Sequence, residues 1–225
     1  MSAASLSWAL ASRADDVMRA AQLAACLEVC GYPKPGNVHR LRNFGELRFE
    51  HFIAGAIAIG PAIREASMKG IRHVLDGLKL GDVRLGSLML RAVSDMIGWQ
   101  RGGNTHLGTI VLFTPLAVSA GMCIAEACEF NLKLLREGFV ETVKATTSLD
   151  TVDFYKAVRL ANPKGMGKVR GLKSPDVMDD GFEAKILAED VTLYEAMAEC
   201  SDWDEVASEF VSGLEVTVKL GYPTL

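Results

Sequence analysis

The chain has 225 residues, 49% apolar and 23% charged, with a formal net charge of −4 and a pI near 5.6. This size and composition suit one globular domain with a sizeable core. The acidic balance argues against a dedicated nucleic-acid binder, which carries a basic surplus or stripe. No basic start precedes an apolar run at the amino end, and Arg13, Asp15 and Asp16 come early. No secretory signal is therefore expected, and the cytoplasm is the expected compartment. The cysteines at 26, 30, 123, 128 and 200 are odd in number, and Cys26 and Cys30 lack zinc-knuckle spacing. They read as small core hydrophobes of a reducing compartment.

The segment from Leu6 to Val29 is rich in alanine and favours a helix. Pro33, Pro35 and Gly36 end it and open a loop to about Gly45. Phe49, Phe52, Ile53, Ala56, Ile57, Gly60 and Ile63 then follow the three-four rhythm of one helix face, and Leu85, Leu88, Met89, Ala92, Met96 and Ile97 do the same. A break from Gly98 to Asn104 precedes an uncharged run from Leu107 to Ala125, about long enough to span a bilayer. Gly108, Thr109, Thr114, Pro115, Ser119 and Gly121 within it, and the lack of an aromatic belt or basic flank, favour a helix buried on all sides of a bundle. Pro115 is expected to kink that helix or mark its true start. A third loop spans Asn162 to Asp180, with Pro163, Gly165, Gly167, Gly171 and Pro175. Helical spacing returns through Ile186, Leu187, Val191, Tyr194 and Met197, then through Trp203, Val206, Phe210, Leu214 and Val218. Alternating strands are missing, so the expected fold is all-α: one domain over residues 1–225, a compact multi-helix orthogonal bundle with a buried central helix.

Polar chemistry gathers in three places. The first loop holds Lys34, Gly36, Asn37, His39, Arg40 and Arg42. Glycine lets backbone N–H groups approach a ligand and the cations suit phosphate, although a solvated interhelical loop would read the same way. The second, Arg101-Gly102-Gly103-Asn104-Thr105-His106, leads straight into the apolar helix. It offers an anion site at a helix start, or Asn104 or Thr105 as a simple N-cap. It lacks the Gly-Lys-Ser/Thr ending of a Walker loop. The third is acidic: Asp150, Asp153, Asp176, Asp179, Asp180 and Glu183, then Asp204, Glu205 and Glu209. Carboxylates hold Mg²⁺ or act as bases, and they also favour exposed helix starts.

Several of these segments, in order, resemble the ATP:dephospho-coenzyme A triphosphoribosyltransferase family, the triphosphoribosyl-dephospho-CoA synthases. The likeness runs through Glu28, Pro33-Lys34-Pro35-Gly36-Asn37-Val38-His39, Asn104-Thr105-His106-Leu107-Gly108 and Pro115-Leu116-Ala117. It continues at Asp153, Ala157-Val158-Arg159-Leu160-Ala161, Pro163, Gly165-Met166-Gly167, Asp176-Val177, Asp204, Ala207, Glu209 and Phe210. The resemblance implies an all-α enzyme in which ATP loses adenine and its triphosphoribosyl group passes to dephospho-CoA. Family members of the citrate lyase and malonate decarboxylase pathways tend to read Pro-Gly-Leu-Val-Asp and Asn-Thr-His-Lys-Gly. This chain has Asn37 and His39 in the first motif and Leu107 in place of the lysine, and looks more like a shorter archaeal-type branch.

On this resemblance, Lys34, Gly36, Asn37, Asn104, Thr105, His106 and Arg159 are expected to grip ATP. Asp153, Asp204, Glu209 and His39 are the catalytic candidates, and Glu28 and Asp176 the ligands for Mg²⁺. The expected partners are ATP and a dephospho-CoA-like acceptor, with neither nucleic acid nor membrane. Alternatives are an acceptor from another coenzyme pathway, such as one-carbon coenzyme synthesis, or a nucleotide-binding protein without turnover. Apolar faces at Trp203 and Phe210, and along the central helix, leave room for a homodimer.

Overall fold

The computed structural model describes residues 3–127, 131–163 and 171–224, and of residues 3–8 and 127 only the backbone. Cys128 and the Gly165-Met166-Gly167 motif lie outside the described residues. Among those described, ten α-helices and no strand occur: α1 (Ala3–Cys30), α2 (Phe49–Ala58), α3 (Gly60–Asp76), α4 (Leu85–Gly98), α5 (Leu107–Ala127), α6 (Leu132–Lys144), α7 (Ser148–Ala161), α8 (Phe182–Glu189), α9 (Leu193–Cys200) and α10 (Glu205–Ser212). The all-α expectation is met.

The uncharged run is α5, which packs against α1, α3, α4, α6 and α10. By length and composition it could cross a membrane, yet Ile110, Val111, Ala117, Val118 and Met122 are buried in the main core. Pro115 lies inside this helix and does not begin it. The α3–α5 seam is unusually close. A Cβ on Gly70 would strike the carbonyl of Val118, and one on Gly121 would strike the carbonyl of Ser67. Each helix thus presents a glycine to the other's backbone, where no larger residue fits.

Three periodic stretches are each two pieces. The face expected from Phe49 to Ile63 breaks at the buried Ile59, because Pro61 brings no N–H to the first turn of α3. Asp190, left-handed at φ 49°, ends α8, and Thr192 with Glu195 forms the capping box that begins α9. Gly213, at φ 71°, ends α10 before Val218. Phe210 is fully buried, edge-on to Phe139 at 6.3 Å, so it offers no surface to a second chain; Trp203 is exposed.

Asp150 joins two helix starts. Its carboxylate accepts from the backbone N–H and hydroxyl of Thr147, at 2.8 and 2.9 Å, and from the N–H of Gly86 in α4, at 2.9 Å. With 1% of its surface exposed, it is a structural cap and not a ligand group facing solvent.

Candidate functional site

The first and second polar loops converge. A small satellite core of Val29, Val38 and Phe52, with Leu47, Phe49 and Ile53 around it, seats loop 31–48 against the end of α1 and against α2. Phe52 is the hub. Lys34 Nζ lies 5.9 Å from its ring centroid, and the His106 ring meets it edge-on at 5.5 Å. Lys34 also pairs with Glu28, at the end of α1.

The loop before α5 is held from within. Gln100 Nε2 donates to the Gly103 carbonyl at 2.6 Å, and Asn104 Oδ1 accepts from the N–H of Leu107 at 3.0 Å, so Asn104 caps α5. The His106 N–H points to Met96 Sδ at 3.2 Å, and its Nδ1 lies 2.8 Å from Thr105 Oγ1. Gly55 of α2 makes room for this pair: a Cβ there would sit 2.5 Å from Thr105 Oγ1 and 2.9 Å from His106 Nδ1.

Two buried polar atoms in this cluster keep unused capacity. His106 Nε2 has no hydrogen-bond partner, and Lys34 Nζ, though paired in charge with Glu28, has no acceptor aligned with its N–H bonds. Burial pushes the His106 imidazole down to about 4, and Lys34 adds to the fall while Glu28 opposes it. At neutral pH the ring is therefore uncharged. It can offer a hydrogen bond but not a positive charge.

Other expected site residues have structural partners. Asn37 Oδ1 accepts from the N–H of Val38 at 2.7 Å, and Gly36 takes φ 80° in the same turn. His39 is buried, its Nδ1 accepting from the N–H of Leu41 at 3.3 Å and its ring 5.4 Å from Tyr32. Asp153 pairs with Arg84 at 2.8 Å. Arg159 pairs with Asp180 at 3.0 Å and lies 5.4 Å from the Phe182 ring. Asp176 accepts from the N–H of Met178 at 2.8 Å in a short turn. Asp204 caps α10 through the N–H of Ala207 at 2.9 Å. Glu209 binds the N–H groups of Val216 and Thr217, at 2.8 and 3.0 Å. Among the described residues, no ion pair or hydrogen bond ties these acidic groups to the Lys34–His106 cluster, although Val206 of α10 packs near Gly108 at the start of α5. Among the described residues no three His, Cys, Asp or Glu side chains gather as a metal site.

Phe52 was legible only as core, since an aromatic at helical spacing is normally packing, and Gly55 drew no reading at all. The one available signal was Gly55 inside a helix, which costs about 1 kcal/mol against alanine and so implies a close neighbour.

The model of the CitG family, ATP:dephospho-CoA triphosphoribosyl transferase, matches residues 14–225. The chain belongs to this family. A crystal structure from Archaeoglobus fulgidus, of a protein provisionally named triphosphoribosyl-dephospho-CoA synthase, shares the fold with a TM-score of 0.52 and 22% identity. The match covers 74% of this chain and 59% of that one, so the chain spans little more than half the length of that relative. No curated protein matches this sequence.

Proposed function

We propose that the chain transfers the triphosphoribosyl group of ATP to the hydroxyl of dephospho-CoA or a related acceptor, releasing adenine. Beyond the family match, the observation that carries this reading is the pair of buried, under-used groups, Lys34 Nζ and His106 Nε2, beside the amino end of α5. A triphosphate brings about four negative charges and many acceptor oxygens, which suit a lysine, a neutral ring N–H and a helix start. A Thr105 hydroxyl that donates to Nδ1, 2.8 Å away, would place the His106 proton on the unpartnered Nε2, as a donor for a phosphate oxygen.

The chemistry breaks the C1′–N bond to adenine and forms a C1′–O bond to the acceptor. Positive charge builds at C1′ in between, and the acceptor hydroxyl loses its proton. Binding and orienting the triphosphate fixes C1′ in place, which is where the Lys34–His106 cluster contributes. The half-exposed Glu28 carboxylate at its rim suits Mg²⁺, which takes one or two carboxylates and completes its shell with phosphates and water. That ion, when bound, would neutralise part of the triphosphate charge.

The acceptor has a specific question attached. Leu107, where members of the citrate lyase and malonate decarboxylase pathways tend to carry lysine, packs against the main core and brings no charge to the start of α5. This favours an acceptor with one anionic contact fewer. Incubation with ATP and candidate acceptors should release free adenine and add one triphosphoribosyl unit, read by mass. ADP or AMP as the product would overturn the reaction, and a gain only on another acceptor would move the substrate. His106→Ala should weaken ATP binding in calorimetry.

A further inference from the structure

The outer face of α1 is apolar where it should be polar. Between Arg19 and Glu28 the helix carries no charge, and its solvent side shows Ala20, Leu23, Ala24 and Leu27. Leu23 and Leu27 are 59% and 60% exposed. Positions 20, 23 and 27 follow the three-four spacing of a coiled-coil seam. The stripe is continuous with an apolar groove of about 300 Å³, because Ala20 and Ala24 also line that groove, with Phe113, Leu116 and Ala120 of α5 behind them.

We infer that this face binds a second copy of the chain, α1 against α1, antiparallel, with the two-fold axis between Leu23 and Ala24. That register sets Leu23 opposite Ala24 and Leu27 opposite Ala20, a large side chain against a small one at every step. It also sets Arg19 opposite Glu28, twice by symmetry. A parallel pair would oppose Arg19 to Arg19 and Glu28 to Glu28, so charge selects the antiparallel form. The current partner of Arg19 is Asp16, at 3.0 Å, with both side chains about three-fifths exposed. Such a surface pair is weak and is exchanged at little cost. Glu28 is also the rim of the Lys34–His106 cluster, so each copy sets a guanidinium beside the other's site. The pairing itself does not depend on which reaction that site performs.

Light scattering and sedimentation equilibrium on the full chain at tens of micromolar should give the mass of two chains. Leu23→Glu with Leu27→Glu changes only exposed positions. It should weaken association roughly a hundredfold or more, to a monomer with unchanged helical circular dichroism. Arg19→Glu should weaken the dimer, and adding Glu28→Arg should restore it. With Cys26 and Cys30 replaced by serine, Ala20→Cys plus Leu27→Cys should form a covalent dimer on mild oxidation, while Leu27→Cys alone should not. A monomeric wild type, a dimer indifferent to the leucine changes, or failure of the 20–27 cross-link would each overturn the inference.

Discussion

Protonating His106 should unfold part of the stability of this chain, by an amount its burial sets. The imidazole is 3% exposed, and its pKa falls from 6.5 to about 4, chiefly because burial disfavours the charged ring. A fall of that size is worth about 3 kcal/mol. In this case the folded state binds the proton less readily than the unfolded chain. The contribution is therefore complete above pH 6.5 and is lost as pH falls from 6.5 towards 4. Urea unfolding of wild type and His106→Gln, followed by circular dichroism at steps between pH 7.5 and 4, isolates this group from the carboxylates common to both. The stability gap between the two proteins should be flat above pH 6.5 and shift by about 3 kcal/mol against wild type by pH 4. A gap that stays constant across the whole range would refute the assignment of a neutral, buried His106.

Gly55→Ala should keep helicity but push Thr105 and His106 off their positions, at about 1–3 kcal/mol in urea unfolding and at least about a tenfold loss of ATP affinity in calorimetry. Asp150→Ala removes a buried acceptor of three hydrogen bonds at two helix starts. It should cost about 3 kcal/mol, read as a lower urea midpoint. Gly121→Ala drives a methyl into the Ser67 carbonyl and should destabilise by about 3 kcal/mol or more, whereas Gly98→Ala, with open space around it, should be close to neutral in the same assay.

Much of the architecture could be read in advance: α1 from its alanine-rich composition, α4 from an uninterrupted helical period, and α5 from its uncharged apolar run. It was missed where apolar spacing continued across a break. Ile57, Gly60 and Ile63 keep the rhythm of one helix, and only Pro61 betrays the division at Ile59. The turn at Asp190 had no comparable marker, because an aspartate in the left-handed region looks like any other in sequence. The site divides in the same way. Lys34, Thr105 and His106 were singled out as polar residues in glycine-bearing loops, and the fold brings them together around Phe52. The acidic segments carried no such distinction: Asp204 as an N-cap and Asp204 as a base have the same neighbours in sequence. Phe52 read only as core because a packing residue and a site-shaping residue follow the same helical period, and Gly55 lay outside that period.

The reciprocal glycine contacts between α3 and α5 fix where this molecule can yield. Neither helix can slip along the other, since any step past Gly70 or Gly121 would press a side chain into a carbonyl oxygen. The amino end of α5, with His106 as its first turn begins, is thus a stationary post. Any adjustment to a ligand falls to the opposite wall, loop 31–48, which the small satellite core around Phe52 holds without a glycine seam. In mechanical terms the site is a vice with one fixed jaw, and the fixed jaw is the one that carries the uncharged imidazole.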